Sequence, residues 1–117
     1  MAYPIAFNRR GIFGLETIDV KMSANDLTYV FESHPYVNSP YNGLLLVHFT
    51  KPAPEGARGD MPIYFESNGV TGSRKAVTKA GGKPLLAEDI HIPSYNLFFY
   101  DFRTNVVEAV SGVVTLD

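Results

Sequence analysis

No stretch of ten or more residues in this chain places apolar side chains at helical spacing, while segment after segment alternates apolar and polar residues with a period of two. Between those segments stand 10 Gly and 8 Pro, the residues that punctuate strands and turns. The aromatic content, 8 Phe and 7 Tyr with no Trp, is of the kind that strands favour. The pattern predicts an all-β fold, a single compact β-sandwich or barrel-like domain with an extended N-terminal arm. At 117 residues the chain is one domain, large enough to bury a core without metal or disulfide support.

The most constrained stretch is Gly81-Gly82-Lys83-Pro84-Leu85-Leu86-Ala87-Glu88-Asp89-Ile90, followed by the aromatic run Tyr95-Asn96-Leu97-Phe98-Phe99-Tyr100-Asp101. A glycine pair permits positive φ, a proline fixes φ, and a short apolar step leads to an alternating strand, so this unit has little freedom. Pro84 favours a helical turn after it, but Leu85 to Ile90 is too short to stand as a helix, and a turn is expected.

Earlier in the chain, Ile18, Val20 and Met22 point one way and Thr17, Asp19 and Lys21 the other, which predicts a half-buried strand. Ser23 to Asp26 has turn chemistry and joins it to a second alternating segment carrying Leu27, Tyr29 and Phe31. Residues 34–43 hold two prolines and read as a loop. Leu44 to Phe49 is apolar on both faces except at His48, the pattern of a central strand buried on both sides. After a polar loop over 51–60, Ile63 to Glu66 reads as a short strand, Gly69 to Lys75 as a hairpin loop, and Arg74 to Lys79, which alternates weakly, as a short strand leading into the glycine pair. Tyr95 to Tyr100 and Val106 to Val110 form a closing hairpin, with Val113 to Leu116 a candidate terminal strand.

Residues 1–16 show neither period and contain Gly11 and Gly14, so they read as the arm, and 17–117 as the β-domain. The arm carries Tyr3, Ile5, Phe7, Ile12, Phe13 and Leu15, each worth about 1.5–3 kcal/mol when fully buried. These side chains lie either over the edge of the domain's own core or on a neighbouring subunit.

Charge and motifs narrow the function classes. A net charge of -2 and the lack of any run of five like charges disfavour nucleic-acid and anionic-membrane binding. Arg9-Arg10 and Arg74-Lys75 read as solvated surface charge. With no Cys there is neither a disulfide framework nor thiolate chemistry, which fits a reducing cytoplasm without fixing the compartment. The first ten residues place positive charge after a short apolar segment broken by Pro4, the reverse of a secretory signal. No apolar run approaches the roughly 20 residues a spanning helix needs, so a soluble protein is expected.

His34, His48 and His91 have no partner at the spacing zinc sites use, and His48 reads as a core histidine. Glu88, Asp89 and Asp101 diverge on turn and strand, so paired-carboxylate hydrolysis is not expected. Gly69 to Lys75 lacks the Gly-Lys-Ser/Thr ending of a phosphate loop. With no nucleophile and base set in view, the residues predict no catalytic site, no metal and no cofactor.

The order Pro62-Ile63-Tyr64-Phe65, Arg74-Lys75-Ala76-Val77, Gly82-Lys83-Pro84-Leu85-Leu86-Ala87-Glu88-Asp89-Ile90 and Tyr95 to Asp101 resembles modules in small structural proteins of tailed bacteriophages. The resemblance covers about Gly43 to Val110 and departs where Phe102-Arg103 replace the glycine that often follows Tyr-Asp in such modules. It implies a non-enzymatic virion protein, an auxiliary or decoration protein, assembled in the host cytoplasm. Its partners would be other virion proteins, the major capsid protein foremost, or copies of itself, with no nucleic acid and no membrane. The expected partner-binding residues are Tyr3, Ile5, Phe7, Ile12 and Phe13, then Tyr36 and Tyr41. A β-sandwich carbohydrate or cell-surface binding module, stacking sugar on Tyr36, Tyr41 and Tyr95, is the alternative.

Overall fold

The structure, a computed structural model, describes residues 12–32, 42–70, 72–101 and 103–110, and of Ile12, Phe13 and Asn42 the backbone alone. The described residues form seven strands, β1 Ile12–Met22, β2 Leu27–Phe31, β3 Asn42–Phe49, β4 Ile63–Ser67, β5 Lys75–Thr78, β6 Ser94–Asp101 and β7 Val106–Ala109, and a 3-10 turn at Ala87–Asp89. They close into a barrel in the order β1-β2-β4-β5-β7-β6-β3, so of the two expected architectures the barrel is the one formed. The hairpins β1-β2, β4-β5 and β6-β7 are antiparallel, as is β3 against β6. Parallel pairs β1-β3, β2-β4 and β5-β7 join them into a ring.

Strand β1 is longer than its alternation predicts. It begins at Ile12, and Ile12 to Glu16 pairs with Leu44 to His48, so the segment read as the end of an arm is a strand of the barrel as far back as Ile12. Residues 1–11 lie outside the described residues, as do Tyr36 and Tyr41 and the candidate strand at 113–116. Thr17 pairs with Phe31 and Asp19 with Val30, so Ile18 is an extra residue, a β-bulge. The bulge overturns the predicted facing at Thr17, which is buried with Leu15, and at Ile18, which is only partly covered, while Val20 is buried and Asp19 and Lys21 exposed as the alternation predicts. The hydroxyl of buried Thr17 donates to the His48 carbonyl at 3.0 Å, and Thr50 Oγ1 donates to the Thr17 carbonyl at 3.3 Å. These bonds tie β1 to β3 where its backbone pairing passes from β3 to β2.

The interior is packed with rings from four strands. Phe65 meets Phe31, Phe98 and Phe49 at centroid distances of 4.9, 5.1 and 6.1 Å, and Tyr29 meets Phe49 at 5.3 Å, mostly edge to face. The space left among Leu15, Phe31, Leu45, Phe65 and Tyr100 is about 20 Å³, room for about one water molecule. Strand alternation explains the filling: Leu27, Tyr29 and Phe31, then Leu45, Val47 and Phe49, then Ile63 and Phe65, all face inward.

The glycine-pair stretch plugs one end. The chain reverses after β5 on Gly81 and Gly82, at φ +102° and +97°, closed by Lys79 N–H to Lys83 O at 2.6 Å and Gly82 N–H to Lys79 O at 2.9 Å. Pro84 then lies against Thr78 and Leu86 against Pro62. Between them Leu85 takes a hydrogen bond from Ile63 N–H and gives one to Val77 O, both at 3.0 Å, and its side chain is buried. Ala87 N–H continues to Met61 O, and Leu86 N–H is held by Asp89 Oδ2 at 3.0 Å.

Two outcomes follow from this packing. Phe65→Ala is expected to lower the unfolding free energy by about 3–5 kcal/mol, while Phe99→Ala on the outside costs about 1 kcal/mol or less, both read by urea denaturation. A Cβ at Gly82 meets nothing within 4 Å, so Gly82→Ala isolates the cost of positive φ and is expected to destabilise by about 1–2 kcal/mol. Gly14 is equally uncrowded but at ordinary φ, and Gly14→Ala should stay within about 0.5 kcal/mol of the parent.

Candidate functional site

Strand β3 is apolar on both faces, a pattern that predicts burial on both sides. From Leu44 to Phe49, Leu45, Val47 and Phe49 are buried, while Leu44, Leu46 and His48 face outward and are half-buried. His48 is therefore on the outer wall and not in the core. Beside them on β6 stand Phe99, Leu97 and Tyr95, in register as Leu44–Phe99, Leu46–Leu97 and His48–Tyr95. On the other flank Gly14 pairs with Leu46 and Glu16 with His48. Gly14 has no side chain and open space in front of it, so Leu46 stands clear on that side.

The result is an apolar and aromatic outer face two strands wide. Among the described residues four large hydrophobics are exposed, and Ile92, Tyr95 and Phe99, at 38, 47 and 37 %, all belong to β6 and its approach. The fourth, Met22 at the far end of β1, reaches toward the loop at Gly56. The His48 and Tyr95 rings stack with centroids 4.0 Å apart and planes within 4°, and Glu16 Oε2 is 3.6 Å from His48 Nδ1. The stack gives the face a flat plate at one end and the Phe99 ring at the other.

The opposite wall is different in kind. There Lys21 pairs with Glu66 at 3.3 Å, and Arg74 pairs with Asp26 at 2.8 Å and lies over the Tyr64 ring at 3.7 Å. Arg74, read from sequence as plain solvated charge, thus pins β5 to the β1-β2 turn. Acidic groups border the apolar face: Glu16 on one side, and on the other Glu108, directly opposite Phe99, with Asp101 two residues beyond it. Glu108 Oε2 accepts the Gly81 N–H at 3.1 Å, and Asp101 Oδ1 accepts the Arg103 N–H at 2.9 Å and shapes the β6-β7 turn.

An open hollow of about 240 Å³ beside the plug is lined by Leu85, Ile90, Phe98 and Ala109 with Asp89 and Asn96. His91 lines it too; of its other polar groups, Asp89 is engaged with Leu86 N–H and Lys79, and Asn96 with Ser94. Burial pushes the Tyr29 and Tyr100 hydroxyls above the ordinary tyrosine range, with Asp101 adding to the effect at Tyr100. Both belong to the barrel interior. No cluster of three or more His, Asp or Glu able to hold a metal occurs among the described residues.

Of the expected partner-binding residues, Tyr3, Ile5, Phe7, Tyr36 and Tyr41 lie outside the described residues, and the backbone of Ile12 and Phe13 starts β1. Ile12 is opposite Leu44, at the Phe99 end of the face. The sequence reading did not single out Leu46, Leu97 or Phe99. Their signal is visible in retrospect: β3 and β6 each carry apolar residues in both rows, more than one interior can take.

The stack is expected to couple His48 and Tyr95 by about 0.5–1 kcal/mol in a double-mutant cycle of the two alanine variants, measured by urea unfolding; additive single effects would show that the rings merely lie close. Comparison of the chain with known protein families, with curated proteins and with solved structures finds no match.

Proposed function

We propose that this chain is a non-enzymatic assembly protein, an auxiliary or decoration protein of a tailed-bacteriophage virion, that binds the major capsid protein or another virion component through apolar contacts. The observation that carries the binding part is the outer face of β3 and β6, where Leu46, Leu97, Phe99 and Tyr95 form a contiguous apolar surface on an otherwise polar wall. The described strands close into a ring, which leaves little sheet edge for a partner strand and favours binding through a face. Rigid aromatic side chains on strands give large contact area at low entropic cost, the composition that dominates interface energetics. The virion assignment itself rests on the resemblance of the second half of the chain. The N-terminal apolar residues Tyr3, Ile5 and Phe7 extend the contact in this reading.

Mass spectrometry of purified particles is expected to find the chain in a fixed stoichiometry to the major capsid protein, and its absence from particles would sink the assignment. Particles stripped of it should rebind the parent, while a Tyr95→Ala, Phe99→Ala variant with unchanged melting temperature binds at least about tenfold more weakly. The exposed plate of Tyr95 is the one feature that favours a carbohydrate-binding module. That reading predicts glycan-array binding lost with Tyr95→Ala and kept with Phe99→Ala.

A further inference from the structure

We infer that Asn68 is a site of spontaneous covalent modification in the folded protein, where the backbone nitrogen of Gly69 attacks the Asn68 side-chain amide. Asn42, which also precedes a glycine, is protected from the same reaction by its place in the barrel. Neither statement depends on the assembly reading, because both concern the reactivity of the chain itself.

The chemistry needs only the two neighbouring residues and water. The Gly69 nitrogen loses its proton and forms a bond to Asn68 Cγ, and the side-chain nitrogen departs as ammonia, taking up a proton. Water then opens the succinimide ring at one of its two carbonyls. Opening at the former side-chain carbonyl gives aspartate, and opening at the former backbone carbonyl gives isoaspartate, whose main chain runs through Cβ. Glycine in second place matters because it brings no side chain to crowd the approach and its backbone turns freely.

The sequence carries Asn-Gly at 42–43 and again at 68–69, and the dipeptide alone does not rank them. The fold does. Asn42 and Gly43 open β3, in register with Asp101 and Tyr100 of β6, and Gly43 is buried. Ring closure there requires the peptide to leave the ladder, so the reaction waits on local opening of the barrel wall.

Asn68 and Gly69 follow the end of β4, in the loop to β5, away from the end where Leu85 bonds Ile63. Both are exposed, Gly69 is at φ +76°, and a Cβ there would meet nothing within 4 Å. Among the described residues neither the Asn68 carboxamide nor the Gly69 N–H has a hydrogen-bond partner, so the two reacting groups approach without breaking a bond. The flanks of the peptide are held. Asn68 N–H donates to Phe31 O at 2.8 Å, and Val70 N–H to Ser67 O at 3.1 Å. The buried Ser73 hydroxyl accepts the Ser67 N–H at 3.0 Å and lies 2.7 Å from Val70 O. These anchors confine the change to the turn. Either product places a new carboxylate there, one negative charge beyond the formal -2 of the chain.

The full chain is incubated folded in mildly alkaline buffer at physiological temperature, and in parallel in urea above its unfolding transition. Peptide mapping by mass spectrometry reads the amide-to-acid change at each site, and isoaspartyl methyltransferase labelling reads the isomer. Asn68 is expected to convert at least about tenfold faster than Asn42 in the folded protein, while the two convert at comparable rates in urea. A folded-state ratio near that in urea, or a folded Asn68 as unreactive as Asn42, would overturn the inference. An Asn68→Gln variant with the parent's melting temperature is expected to lose the folded-state isoaspartate label, and persistence of the label would place the reaction elsewhere. The presence or absence of the chain in virions does not bear on any of these outcomes.

Discussion

Strands β4 and β5 pair side by side only at Tyr64–Ala76 and Phe65–Lys75, and toward the plugged end they part. Leu85 stands in that gap, hydrogen-bonded to Ile63 on one side and Val77 on the other, with its side chain in the core. Without it, two ladder groups and the ends of two apolar strands would face water, and the ring of strands would open there. The glycine pair at positive φ brings Leu85 back beside β5, which ends at Thr78, and Pro84 and the Asp89 carboxylate hold its approach and exit. Closing the barrel is thus a local turn problem solved by a stretch outside the named strands.

Closure has a consequence for the surface. Once the strands close into a ring, the interior takes one row of side chains from each of β3 and β6, and it is already filled by Tyr29, Phe31, Phe49, Phe65 and Phe98. The second apolar rows of β3 and β6 have nowhere to go but outward. The opposite wall shows the ordinary solution, with Lys21, Glu66, Arg74 and Asp26 in ion pairs over the same kind of strand. The difference between the two walls is the physical basis for assigning interaction to one of them.

Much of the barrel is legible in the alternation of particular residues. Leu27, Tyr29 and Phe31, the Ser23 to Asp26 turn, the short β4 strand and the β6-β7 hairpin all follow from period and turn chemistry, because each depends on neighbours in sequence. The bulge at Ile18 is not legible, since it exists to keep Val20 inward after Thr17 turns in to bond the His48 carbonyl, a partner 31 residues away. Nor is the facing of His48. An apolar strand interrupted by one histidine reads as doubly buried, and only the single-layered wall of a barrel puts that histidine outside against Tyr95. Of the candidate site, the sequence marked Tyr95 as a stacking residue and the apolar N-terminal segment as an interaction element. Leu46, Leu97 and Phe99 became a surface only when β3 and β6 were set side by side.

The amino-acid sequence by itself determined that the protein is all-β, where most strands and turns fall, and that a glycine-proline stretch near residue 85 governs the fold, because these depend on local sterics and on side-chain period. Tertiary structure alone decided that the strands close into a ring through three parallel pairs, that Leu85 completes the ring, and which apolar row is left outside. Those outcomes depend on contacts between residues far apart in the chain and on the volume available inside a closed barrel, and neither is written in any local pattern.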